Sequence, residues 1–181
     1  TFAVVRYRGR PDGPLPRQVT GSLWLEVVWT AIPIAIVLAL FAGTLAALGR
    51  VEALSPNPSV ELRVTAFRWG WTFEYPREGV SVGGVGEPGP EVVVPVGEPV
   101  RVTLTGNDVV HAFFVPEFLF KRDATPGRET RFEFTVDEPG TYRGQCAEFC
   151  GIYHARMPFT IRAVTRAEYD AWLAERRGAH G

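Results

Sequence analysis

The stretch Cys146-Ala-Glu-Phe-Cys-Gly-Ile-Tyr-His-Ala-Arg-Met157 places two thiols, an imidazole and a thioether within twelve positions. A donor set rich in soft sulfur, with an imidazole beside it, favours copper. Met157 is the only methionine in the chain. A thioether is the usual weak axial ligand of copper, whereas zinc sites draw on Cys and His. The loop supplies one imidazole, so a second must come from elsewhere. Of the three histidines, His180 sits in the C-terminal tail, which leaves His111 in Asn107-Asp-Val-Val-His-Ala-Phe-Phe-Val-Pro116. A mononuclear blue-copper site uses one Cys and two His. The second thiol would let both sulfurs bridge two coppers, each with one His and one weaker ligand. A plainer alternative stays open, in which Cys146 and Cys150 pair as a disulfide in an oxidising compartment.

Such donors need a rigid frame. From Pro56 onward, short runs rich in Val and aromatics alternate with Gly/Pro clusters, the texture of β-structure. The expected strands are 60–66, 67–75, 91–96, 100–105, 109–115, 130–136, 140–145 and 158–164, at a spacing that suggests a sandwich or barrel. The apolar alternation is even from Val60 to Ala66 and odd from Phe67 to Tyr75. That change of phase predicts a bulge or break at Ala66–Phe67. Residues 76–90 read as an exposed loop. Thr165 and Glu168 form a capping-box pair ahead of Tyr169, Trp172 and Leu173 at helical spacing, so a short C-terminal helix is expected.

Residues 27–48 carry no charged side chain. As a helix they span roughly 33 Å, enough to cross the hydrocarbon of a bilayer. Pro33 lies near one end of the run, and Trp24 and Trp29 suit the membrane–water interface there. Arg6, Arg8, Arg10 and Arg17 precede the span, against Arg50 just after it. The positive-inside rule then puts the N-terminus in the cytoplasm and the following domain outside. The chain starts on an apolar stub without an initiating Met. The stub resembles the end of an earlier membrane helix, so more sequence is expected before Thr1.

The chain has 181 residues and a net charge of −1, with 22% charged and 12% aromatic residues. This argues against disorder and against a nucleic-acid partner. The neutrality hides a split: residues 1–50 carry a net +3 and residues 51–181 a net −4. An acidic outer domain attracts a basic partner weakly and in a salt-dependent way.

The motif Cys-x-Glu-x-Cys-x-x-x-His-x-x-Met resembles the binuclear copper A loop of cytochrome c oxidase subunit II, and Asp108-Val-Val-His111 resembles its upstream ligand segment. Leu25-Glu-Val-Val-Trp-Thr-Ala-Ile-Pro33 is similar to the start of that family's second membrane helix. Trp69-Gly-Trp-Thr-Phe-Glu-Tyr75 is similar to its aromatic strand, and Lys121-Arg-Asp-Ala-Thr-Pro-Gly-Arg128 to the segment between the ligand His and the copper loop. The resemblance implies an all-β cupredoxin-like Greek-key sandwich or barrel, anchored by one N-terminal transmembrane helix and closed by a short C-terminal helix. The expected division is a cytoplasmic basic segment 1–22, a transmembrane helix 23–50, an extracytoplasmic copper domain 51–164, and a C-terminal helix and tail 165–181.

Residue roles follow from the same resemblance. Cys146 and Cys150 would bridge two coppers. His111 and His154 would bind one each, with Met157 and the backbone carbonyl of Glu148 completing the set. The Glu148 side chain would reach a magnesium ion at the boundary with the catalytic subunit, with Asp123 helping to arrange that boundary. Trp69 matches the aromatic where electrons arrive from cytochrome c. Asp108, Glu74 and Glu78 match acids around the docking face. Glu26 matches the carboxylate at the mouth of a proton pathway. The implied activity is to accept electrons from cytochrome c and pass them to haem in the catalytic subunit of a proton-pumping terminal oxidase, in a prokaryotic plasma membrane with the copper domain in the periplasm or outside.

Ala112 and Gly70 depart from the more usual Ser and aromatic, without removing a ligand. No Cys-x-x-Cys-His follows the copper loop, so a separate cytochrome c donor is expected. The small subunit of copper-containing nitric oxide reductases remains an alternative. Nitrous oxide reductase carries a propeller for which this chain has no room, and quinol oxidase subunits lack the ligands.

Overall fold

Residues 1–9, 13–14 and 18–178 are described by the computed structural model; Arg10, Asp12, Arg17 and His180 lie outside them. The chain divides into two units, Thr1–Ala47 and Leu48–Gly181. The first unit holds a five-residue helix α1 (Phe2–Arg6) and most of α2 (Leu23–Val51). Apolar side chains cover α2 on every face and none of its residues is buried. A helix apolar all round needs an apolar solvent, and its 29 residues are long enough to cross a membrane. It extends beyond the charge-free run at both ends, taking in Glu26 in its first turn and Arg50 in its last. Pro33 falls inside α2; membrane helices accommodate a proline where side chains, neighbouring helices or local adjustment satisfy the backbone groups it frees.

The second unit is a two-sheet β-sandwich. The strands are β1 (Val60–Phe67), β2 (Gly70–Tyr75), β3 (Val80–Val85), β4 (Glu91–Pro95), β5 (Val100–Gly106), β6 (His111–Val115), β7 (Phe120–Ala124), β8 (Thr130–Phe134), β9 (Gly140–Cys146) and β10 (Pro158–Val164). One sheet has the order β3-β2-β1-β5-β8 and the other β4-β10-β9-β6-β7. Strands β1 and β5 pair in parallel, as do β10 and β4, and the remaining pairs are antiparallel.

Alternation builds the core. Val60, Leu62, Val64 and Ala66 of β1 point inward beside Val100, Val102 and Leu104 of β5. Each such burial is worth about 1.5–3 kcal/mol for a Val or Leu side chain. Aromatic rings fill the middle: Phe113 of β6 stacks on Phe159 of β10 at 4.8 Å and meets Phe132 of β8 at 5.4 Å. The phase change at Ala66–Phe67 is a chain reversal. Phe67 pairs directly with Gly70, so Arg68 and Trp69 form the turn between β1 and β2. Trp69 is therefore carried on a turn and not within a strand.

Two strands depart from the sequence reading. Residues 76–90 are not only loop, because β3 pairs along the whole of β2. Its glycines carry no β-propensity, yet Val80 and Val82 face the core while Ser81 is exposed. The other unexpected strand, β7, lies at a sheet edge and carries Lys121, Arg122 and Asp123. Charge on an edge strand discourages pairing with other chains and masks the strand in the sequence.

Helix α3 (Arg166–Gly178) starts as its capping box requires. The Glu168 backbone N–H donates to the Thr165 hydroxyl at 3.3 Å, and the Glu168 carboxylate accepts from the Thr165 backbone N–H at 2.9 Å. Tyr169, Trp172 and Leu173 are buried, with the Trp172 ring 5.3 Å from that of Tyr75. Tyr75 is itself locked: its hydroxyl donates to the Val93 carbonyl at 2.8 Å and accepts from the Val93 N–H at 3.0 Å. Trp172→Ala should lower the unfolding free energy by about 3–5 kcal/mol through the cavity it leaves, and Thr165→Ala by about 1 kcal/mol through the lost cap. Urea unfolding followed by far-ultraviolet circular dichroism checks both.

One ion pair is shielded enough to matter. The Glu133 carboxylate, 11% exposed, accepts from Arg101 Nε at 2.8 Å and from the Ser55 N–H at 2.9 Å. The same arginine donates to the Ser55 carbonyl. This buckle ties the segment after α2 to β5 and β8. Burial alone would raise the Glu133 pKa, but the Ser55 N–H and Arg101 hold it below its ordinary 4.5. A folded pKa below the unfolded one means that the stabilisation is present above 4.5 and is lost as the pH falls through the folded value. Glu133→Gln should cost about 1–3 kcal/mol at neutral pH, the worth of hydrogen bonds to a charged, partly buried group. In urea titrations at decreasing pH, the parent midpoint should converge on that of the variant.

Candidate metal centre

Cys146 ends β9 opposite Phe113, and His111 opens β6 opposite Ala124. The loop between β9 and β10 then carries Cys150, His154 and Met157 back over this corner of the sandwich. It is closed at its base by one carbonyl. Met157 O accepts from the Cys146 N–H at 3.1 Å and from Trp71 Nε1–H at 3.1 Å. Trp71 is fully buried and its ring lies 6.4 Å from that of His111. One indole thus backs both ends of the site. In the sequence Trp71 is visible only as part of the aromatic strand, through its odd-numbered alternation with Phe73 and Tyr75.

The donor atoms converge. Cys146 Sγ lies 3.9 Å from Cys150 Sγ, 3.9 Å from His111 Nδ1 and 3.3 Å from the Glu148 carbonyl oxygen. Cys150 Sγ lies 3.6 Å from His154 Nδ1 and 3.9 Å from Met157 Sδ. His111, Cys146 and Cys150 are buried and their donor atoms lie within 4.8 Å of one another. Metal–sulfur and metal–nitrogen bonds of about 2.3 and 2.0 Å, meeting at tetrahedral angles, separate the donors by roughly 3.5–3.8 Å. The observed spacings fit a shared metal. They do not fit a disulfide, whose sulfurs lie about 2.05 Å apart, and both cysteines are free. His154 stands outside this three-residue group but lies beside Cys150.

The two thiols are electrostatically unlike. Burial alone would raise the Cys146 pKa, but the neighbouring His111 ring and the backbone bring it down. Burial raises the Cys150 pKa, and the Cys146 charge beside it pushes it further up. A thiolate pair this close repels itself unless a cation sits between them.

Trp69 faces the loop from the β1–β2 turn. Its Nε1–H donates to the Cys150 carbonyl at 3.3 Å, and its ring meets Tyr153 edge-on at 4.9 Å. Gly151 lies beneath the ring with φ +121°, where a Cβ would come within 3.3 Å of the indole. Gly106 permits a second close approach, since a Cβ there would reach the Ala124 carbonyl at 2.5 Å. Phe149, Ile152 and Tyr153 are exposed on the loop, an apolar surface that no periodicity in the sequence marks.

The remaining expected residues are dispersed. Glu148 points its carboxylate at Lys121 Nζ, 3.0 Å away, and Lys121 also pairs with Asp123 at 3.1 Å. Glu74 is exposed on β2. Glu78 is half-buried and has a carboxylate oxygen shielded from solvent without a partner. Asp108 accepts from Arg68, Val109 and His111. Glu26 belongs to the helical unit, in the first turn of α2.

Comparison with known proteins agrees with this geometry. The family model described as cytochrome c oxidase subunit II, periplasmic domain, matches residues 85–164. Cytochrome c oxidase subunit 2 of Cereibacter sphaeroides is 35% identical over 209 residues, covering 98% of this chain and 68% of that protein. The corresponding protein of Alkalihalophilus pseudofirmus is 38% identical over 176 residues, and this chain spans half of its length. The crystal structure of the periplasmic domain of subunit II of cytochrome oxidase from Bradyrhizobium japonicum superposes with a TM-score of 0.66 at 34% identity, covering 71% of this chain and all of that one. Its sulfur-rich loop, its cupredoxin-like sandwich and a 35%-identical relative matched over 68% of its length make this chain a member of the cytochrome c oxidase subunit II family.

Proposed function

We propose that the chain accepts electrons from cytochrome c at a binuclear copper centre and passes them to haem in the catalytic subunit of a proton-pumping oxidase. The observation that carries this reading is the pair of unbonded thiols 3.9 Å apart, each within 3.6–3.9 Å of its own imidazole. Cys146 and Cys150 would hold both coppers, with His111 and His154 on one each and Met157 and the Glu148 carbonyl as weaker ligands. When bound, the copper pair supplies a one-electron carrier. The chain contributes rigidity: His111 and Met157 are buried, and two hydrogen bonds on the Met157 carbonyl hold the loop closed. Donors that cannot move keep the reorganisation that accompanies electron gain small.

Trp69 is proposed as the point of electron arrival. Its hydrogen bond to the Cys150 carbonyl gives a short path into the loop. Phe149, Ile152 and Tyr153 offer apolar contact for a docked donor, with acidic charge steering its approach. Of the three expected docking acids, Glu74 presents the most open carboxylate. Glu148, with Asp123 beside it, is proposed to reach magnesium at the boundary with the catalytic subunit. Carboxylate oxygens suit that hard cation, and Lys121 draws the two acids together. Glu26 is proposed at the mouth of a proton pathway, with the N-terminus in the cytoplasm and the β-unit outside.

In the purified chain, Cys150→Ser should lower bound copper from two ions to one or none and abolish the visible absorption of the thiolate–copper centre. Unchanged metal content would reject the reading. Met157→Leu should retain both coppers and raise the reduction potential, because the weak axial donor tunes it; a spectroelectrochemical titration measures this. Trp69→Ala should leave copper content and spectrum unaltered while stopped-flow electron uptake from reduced cytochrome c slows by about tenfold or more, through loss of the coupled path and contact.

A further inference from the structure

We infer that Asp108 is a positioning residue that clasps the Arg68–Trp69 turn to His111 and sets which ring nitrogen faces the thiols. The inference rests on the copper reading for its consequence, but its geometry stands by itself. Asp108 Oδ2 accepts from the Arg68 N–H at 2.8 Å and from Arg68 Nε at 3.2 Å. Its other oxygen, Oδ1, accepts from the Val109 N–H at 2.7 Å and lies 2.9 Å from His111 Nε2. Both carboxylate oxygens are thus engaged, and the side chain is only 25% exposed.

An ionised carboxylate can only accept. His111 Nε2 must therefore carry a hydrogen, so in the neutral, metal-binding ring the Nδ1 lone pair lies on the side of Cys146, 3.9 Å away. Three N–H groups of Arg68 and Val109, one of them on a guanidinium, point at this carboxylate and keep it an acceptor.

The other half of the clasp acts on Trp69. Arg68 and Trp69 are the two residues between β1 and β2, and Asp108 fixes the first of them by both its backbone and its side chain. The Trp69 indole in turn donates to the Cys150 carbonyl. One carboxylate therefore registers three pieces of chain: the turn bearing Trp69, the loop beneath it, and the strand that carries His111. A negative charge occupied in this way contributes less to attracting a basic partner than an open one such as Glu74. This gives Asp108 a role distinct from docking.

The test uses the full chain in detergent, as parent, Asp108→Ala and Asp108→Asn, with Glu74→Gln as the docking control. In the metal-free reduced protein, hydrogen exchange at the Arg68 amide should quicken by about tenfold or more in Asp108→Ala, since its acceptor is gone. After copper loading, Asp108→Ala should change the electron paramagnetic resonance hyperfine pattern. It should also slow electron uptake at saturating donor by about 10- to 100-fold, with the salt dependence unchanged. Asp108→Asn keeps an oxygen for His111 and guards against misfolding of the alanine variant. It should preserve the copper spectrum more closely while still loosening the Arg68 amide. Unchanged exchange and spectrum in Asp108→Ala, with a rate loss that follows donor concentration and salt as in Glu74→Gln, would overturn the clasp and make Asp108 a docking acid. Parent protein that binds no copper would sink the proposed function, while the exchange measurement would still decide the clasp.

Discussion

Two sulfur atoms held 3.9 Å apart without a bond between them are the constraint on which the outer unit turns. Left to themselves, two thiolates at that distance repel, and the fold expresses the conflict by lowering one thiol and raising the other. A soft cation shared between them resolves it, which is why a loop of this composition suits metal better than either a disulfide or a lone nucleophile. The rest of the site keeps the sulfurs in place. Met157 O takes the Cys146 N–H and the Trp71 indole together, so the loop cannot open without exposing a buried carbonyl.

This arrangement demands a stiff platform, and a β-sandwich packed with rings provides one. Trp71, Phe113, Phe132 and Phe159 interlock beneath the ligands, with centroid distances of 4.8–6.4 Å. Close packing of this kind transmits strain and resists small displacements. At the far end of β2 the same device recurs on a smaller scale, where Tyr75 receives Tyr169 and Trp172 from α3. The C-terminal helix therefore covers an aromatic seam.

The charges around the centre divide by how they are used. Asp108 is enclosed by donors and acts on its neighbours; Glu148 and Asp123 share one ammonium; Glu74 is open to solvent. Partial burial turns a carboxylate into a structural part, while exposure leaves it for long-range steering. Acids that look equivalent as letters are thus different objects in space.

The donor inventory was legible from the sequence alone, because ligand chemistry depends on residue type: two Cys, one Met and one available His beyond the loop leave little choice. So were the membrane helix, most strands and the α3 cap, since period, length and capping pairs are local signals. Strands β3 and β7 were not legible, as glycines and edge charges hide the alternation that marks a strand. The uses of Trp71, Arg68, Tyr153 and Asp108 were not legible either. Those depend on which backbone carbonyl or ring nitrogen lies within 3–5 Å across strands far apart in sequence. Only the tertiary structure sets such distances, because sheet register and loop closure are decided by the whole packed core and not by neighbouring residues.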